Sequence, residues 1–166
     1  MKGICDLVRE TCNKVTQQAK LLKINHENLK ILASEITNPE KFQNVDWRDF
    51  EGHYFDSSNE EAVVDYIFIL DTLNFCFWPS PVPWEYENLA KSLRELLKQD
   101  PTSLQPKNLI KMDLPTFKKV VFLDIDFPLL EERYRLVQES CYECIKHFDG
   151  KFSNVVKAAA QSAEEV

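Results

Sequence analysis

Apolar residues recur along this chain at steps of three and four, the spacing that gathers them on one face of a helix. Ile4, Val8, Cys12, Val15, Ala19 and Leu22 keep that step, so the chain opens with an amphipathic helix. Asn25 is placed to cap a second, shorter helix carrying Leu29, Leu32, Ala33 and Ile36. Asn38-Pro39 ends it, because the residue before a proline is pushed out of the helical region. The period is lost over 40–57, where Phe42, Val45, Trp47, Phe50 and Tyr54 give a loop-like stretch enough aromatic surface to fold over a core. Ser58-Asn-Glu-Glu61 has the form of a capping box, with Ser58 as N-cap and Glu61 reaching back. The helix it opens runs to about Asn74 and is apolar on most sides, as a central buried element would be.

Pro79, Pro81 and Pro83 stop that helix, and another follows with Leu89, Leu93, Leu96 and Leu97, ending near Asp100-Pro101. Residues 102–127 fit either short helices or one strand through Val120-Val-Phe-Leu123. A long helix then begins near Pro128, with Glu131 and Glu132 in the first turn, where they suit the positive end of the dipole. Leu130, Tyr134, Val137, Cys141, Ile145 and Phe148 form its stripe, and Gly150 stands where a C-terminal glycine cap belongs. Val155, Val156, Ala159, Ala160 and Ala163 start a last amphipathic helix, which gains stability only if its apolar face packs on something. The pattern predicts a mainly α fold, a single irregular domain over 1–166 with five to seven helices and little or no sheet.

The length of 166 residues fits one domain, and a content of 44% hydrophobic and 11% aromatic residues can build a sizeable core. A net charge of −7 argues against broad binding to duplex nucleic acid, which needs a basic face. Three glycines disfavour Gly-rich phosphate loops. There is no run of ~18 apolar residues for a membrane span. Five cysteines in a core-rich chain read as reduced thiols of a cytoplasmic or nuclear protein. Cys141-Tyr-Glu-Cys144 has redox or half-zinc spacing, but no second pair completes a site, and two small residues on one helix face explain it better.

The candidate chemistry is concentrated in Asp71-Thr-Leu-Asn-Phe-Cys-Phe-Trp78. A carboxylate in so apolar a helix is expected to be paired, hydrogen-bonded or raised in pKa. Asp71 therefore reads either as a functional acid or as a partner for an arginine or a neighbouring helix end. Asn74, Phe75 and Trp78 follow it by three, four and seven positions and share its face if the helix continues. An amide beside rings suits a flat heterocyclic base; equally, the rings are core and Asn74 is a C-cap. Arg133 and Arg135 are able to hold a phosphate or a carboxylate, or to form a solvated face. His53 sits in the aromatic loop, and with His26 and His147 elsewhere no catalytic triad emerges.

The run Glu61 to Trp78, with its Asp-Thr-Leu-Asn-Phe-x-Phe-Trp ending, resembles the queuosine salvage proteins. Pro128-Leu-Leu-Glu-Glu-Arg-Tyr-Arg135, Phe148-Asp-Gly-Lys-Phe152 and Ala158 to Ala163 are similar to a second block of that family, and the Val8-Arg-Glu opening fits its N-terminus. The resemblance implies a helical fold related to helical DNA glycosylases, and an enzyme that hydrolyses the N-glycosidic bond of queuosine 5′-phosphate. The products then include queuine, salvaged for transfer-RNA modification, and no metal or organic cofactor takes part. It places Asp71 on the catalytic side and Asn74, Phe75, Trp78 and His53 against the base or ribose, with Arg133 and Arg135 at the phosphate or as scaffold. Members are roughly twice this length, with a lysine and aspartates of the active site in their second half. The resemblance thus implies the N-terminal half of a longer enzyme, inactive or nearly so alone, whose missing half packs on the C-terminal helix. The alternative is a non-catalytic helical module that binds the base or another partner.

Overall fold

The computed structural model describes residues 3–37, 46–160 and 162. Asn38, Pro39, Phe42, Val45 and Ala163 lie outside them. The described residues hold eight α-helices and no strand. They divide into two compact units, one within residues 1–46 and the other within 47–161.

In the first unit, α1 spans Ile4–Gln18 and α2 spans His26–Ile36. Helix α1 stops a turn before Leu22, where Ala19 turns extended. The Asn25 side chain caps α2 as its sequence position predicts, accepting from the amides of Glu27 and Asn28 at 3.1 Å each. No residue of α2 is buried.

The second unit is built around α3, Glu60–Leu73, which packs against three later helices. It buries Ala62, Tyr66, Ile69, Leu70 and Leu73, and the Tyr66 hydroxyl donates to the Ala90 carbonyl at 2.9 Å. The N-cap is Asn59, one residue later than expected, accepting from the Ala62 amide at 3.2 Å. Ser58 instead donates to Asp56 at 2.6 Å, and Glu61 reaches out to Lys151 at 2.9 Å rather than back to the cap. Next comes α4, Tyr86–Gln99, opened by a capping box between Glu85 and Asn88 and burying Leu89, Leu93 and Leu97.

Residues 102–127 resolve into two helices rather than a strand, α5 at Pro106–Leu109 and α6 at Leu114–Phe122, which takes the count past the expected seven. The reason is local. Pro106 and Pro115 sit in the first turns, where a missing N–H costs nothing, and Asp113 caps α6 through the Thr116 amide at 2.9 Å. Helix α7, Leu130–His147, buries Arg133, Val137, Cys141 and Cys144. Gly150 closes it at φ +69°, its amide donating to the Cys144 carbonyl at 3.1 Å. The last helix, α8 at Phe152–Ala158, docks on α3: the Phe152 ring stacks on Phe68 with centroids 4.0 Å apart.

The shifted cap yields a direct comparison. Asn59→Ala should lower unfolding stability by about 1 kcal/mol in urea titrations, and Ser58→Ala by less than ~0.5 kcal/mol. Equal losses would return the cap to Ser58.

Candidate functional site

Helix α3 ends at Leu73, and Asn74 is its C-cap with ψ 65°, so the chain leaves the helical path there. The face that residues 71, 74, 75 and 78 would share on a continuing helix is therefore not formed. Cys76 adopts φ +44°, a left-handed conformation that a non-glycine residue takes at a cost. Phe77 turns into the core, while Trp78 is 70% exposed and its indole N–H meets the Glu85 carboxylate at 3.4 Å. Asn74 is exposed, and Phe75 is half-buried beneath a guanidinium.

That guanidinium belongs to Arg133, which is wholly buried, neither a solvated face nor open to a phosphate. Its Nη1 donates to the Leu73 carbonyl, and Nη2 donates to the carbonyls of Phe75 and Cys76. Nε donates to the Pro128 carbonyl at 2.9 Å. A helix end leaves carbonyls without partners and carries partial negative charge, so a cation with five donors in a fixed fork suits it. The rings of Phe75 and Phe127 lie 4.2 and 4.8 Å from the guanidinium carbon. Burial lowers its pKa to about 10, which still leaves it cationic at neutral pH. Arg135, two residues on, is exposed and held by Glu132 and Glu139 at 2.8 and 2.6 Å. Its cleft is also lined by Asp126 and Glu131, surroundings that oppose a phosphate.

Asp71 is exposed, not the buried carboxylate that its apolar neighbours suggest. It stands in the last turn of α3 at the edge of an open groove of about 410 Å³. Val64, Ile67, Phe68 and Thr72 line that groove from the same helix, and Val156 lines it from α8. The volume lies in the range of small-ligand sites. Neither Asn74, Phe75 nor Trp78 lines this groove.

His53 is half-buried and lines an open cleft of about 460 Å³ with Arg94 and Lys98. Its ring stacks on Trp47 at 3.5 Å, and Phe50 meets it edge-on. Nδ1 lies 3.1 Å from the Trp47 carbonyl and Nε2 lies 2.8 Å from the Tyr86 hydroxyl. A carbonyl only accepts, so Nδ1 donates, and Nε2 accepts from Tyr86. The Tyr86 hydroxyl has its pKa raised, first by burial and then by the negative charge of Asp71. Tyr86 thus bonds His53 and feels the charge of Asp71, a role that its place beside a Pro-rich turn did not signal.

The acid in the predicted environment is Asp65, six residues before Asp71 and only 5% exposed. Burial, helped by Glu61 and opposed by Lys151, pushes its pKa up to about 7. Burial also raises the thiols of Cys141 and Cys144, to about 12 and about 11, so both are small core residues rather than thiolates. Among the described residues no group of three His, Cys, Asp or Glu side chains is arranged to hold a metal ion.

Two outcomes are expected. Arg133→Met leaves several buried carbonyls without a donor and should cost about 3 kcal/mol, roughly a 10 °C fall in melting temperature. Arg133→Lys should recover only a minor part, since one ammonium cannot span the fork. A variant that melts like the parent would remove Arg133 from the scaffold. For Asp65 the folded state favours the protonated form. Its contribution is therefore full below the unfolded value of 3.8 and is lost as pH rises through about 7. Thermal melts should show Asp65→Asn flattening that slope and raising stability above about pH 7, by at most ~4 kcal/mol. Parallel pH profiles for the two proteins would contradict the assignment.

The family described as queuosine salvage protein matches residues 53–166. A protein of Dictyostelium discoideum is 34% identical over 95% of this chain and 51% of its own length. One of Sphaerobacter thermophilus is 28% identical over 94% of this chain and 50% of its own. One of Bos taurus is 26% identical over 64% of this chain and 36% of its own. All three relatives are named queuosine 5′-phosphate N-glycosylase/hydrolase. The chain spans about half the length of the first two. With residues 53–166 matched, the chain belongs to the queuosine salvage protein family.

Proposed function

We propose that this chain forms part of an enzyme that hydrolyses the N-glycosidic bond of queuosine 5′-phosphate and releases the base queuine. The observation that carries the reading is the family match over residues 53–166, which includes the whole Arg133-anchored segment. The geometry supports it at one point: an exposed carboxylate, Asp71, at the rim of an open apolar groove.

Breaking a base–ribose bond passes through an oxocarbenium-like sugar, and a carboxylate within reach stabilises that charge and orients water. In this reading the flat base lies along Val64, Ile67 and Phe68 with Asp71 toward the ribose. The part of the family's chain beyond these residues packs over α8 and the groove. It brings Asn74 and Trp78 against the ligand and supplies the remaining polar groups. Arg133 acts through the segment it holds. The reading carries the cytoplasmic setting that reduced cysteines suggest. No described helix is long and apolar enough to cross a membrane.

The test is base release from queuosine 5′-phosphate, followed chromatographically. This chain should turn over negligibly, and the same chain joined to the remaining length of its relatives should be active. In the joined protein Asp71→Asn should lower kcat about 100-fold or more. An unchanged rate would take Asp71 out of the chemistry; an inactive joined protein would overturn the proposed activity.

A further inference from the structure

In the N-terminal half of α3, away from Asp71 in the last turn, Glu61 and Asp65 face a small polar cleft of about 110 Å³. Gln105 and Lys107 line it from the start of α5, and Gly150, Lys151 and Ser153 from the joint between α7 and α8. It shares no lining residue with the Asp71 groove.

Two of its nearly buried groups have no hydrogen-bond partner among the described residues. Asp65 is 5% exposed, and no hydrogen bond or ion pair joins its carboxyl to another described residue. The Ser153 hydroxyl is buried and has no hydrogen-bond partner among the described residues. Buried polar groups are rarely left so, and each costs about 1–3 kcal/mol when it is. Lys151 is engaged by Glu61 at 2.9 Å, closing one wall.

The missing partner has definable chemistry. Asp65 lacks a donor, which a hydroxyl or an ammonium could supply. Two lysines already line the cleft and disfavour an ammonium, while two carboxyls disfavour an anion. A hydroxyl both donates and accepts, so neighbouring hydroxyls on one small molecule meet the carboxyl, the serine and the amide together. We propose that this cleft binds a small neutral polyhydroxyl compound, a pentose or a glycerol-sized polyol, through Asp65 and Ser153. A polyol hydroxyl makes the same bonds that a water would make to such groups.

The experiment titrates ribose and glycerol into the 166-residue chain, reading saturation-transfer NMR and the amide shifts of Gly150, Lys151 and Ser153. Saturable binding in roughly the millimolar range is expected, with those amides among the most shifted. Ser153→Ala removes one atom that has no partner and should leave the fold intact while weakening binding about tenfold. Asp65→Asn, checked for folding by its melt, should weaken it by a similar factor. The proposal is overturned if neither compound saturates up to roughly 100 mM, or if Ser153→Ala binds as tightly as the parent. Binding that shifts only amides around Asp71 would equally overturn it, without touching the hydrolase reading.

Discussion

One buried guanidinium organises this site. Arg133 collects the carbonyls of Leu73, Phe75, Cys76 and Pro128, and so decides where α3 stops and how the next residues leave it. The charge is held by carbonyl dipoles, a helix end and ring faces. A lysine offers one point charge and could not meet carbonyls lying in different directions. The left-handed turn at Cys76 is offset by these bonds. Both motif blocks behind the family resemblance meet here, since Arg133 comes from the second and its acceptors Leu73, Phe75 and Cys76 from the first.

Three of the four acids on helix α3 differ in behaviour because their surroundings differ. Glu61 is paired with Lys151, Asp65 is buried without a partner, and Asp71 stands in the open at the far end. A step of four keeps Asp65 near the face of Glu61, while a step of six turns Asp71 away from Asp65 and puts it toward the other end of the helix. One helix therefore separates a small polar cleft from a wider apolar groove. This division lets the Asp71 side take a flat ligand while the Asp65 side suits hydroxyls.

Much of the fold was legible. Asn25, Gly150 and the stop at Asp100 stand where capping rules put them, because those signals act within one turn of chain. Ser58 failed as a cap because Asn59 competes one position later and Asp56 takes the serine hydroxyl. The strand alternative for 120–123 failed because Asp113 and Pro115 start a helix that carries the apolar run. In the site, Asp71 read as buried because its neighbours are apolar in sequence. Yet Ile69, Leu70 and Leu73 turn inward, while Val64, Ile67 and Phe68 beside Asp71 are half-buried on the outer side of α3, and the inner side went to Asp65.

The sequence by itself determined the helices, most of their ends and the family, since spacing and caps depend on residues three to five positions apart. Tertiary structure alone decided the fate of each charge. Arg133 lies 60 positions from Leu73, and Lys151 lies 90 from Glu61. Whether a charged side chain is a buried clamp, an orphan or a free acid depends on which distant groups arrive beside it. No local period encodes that.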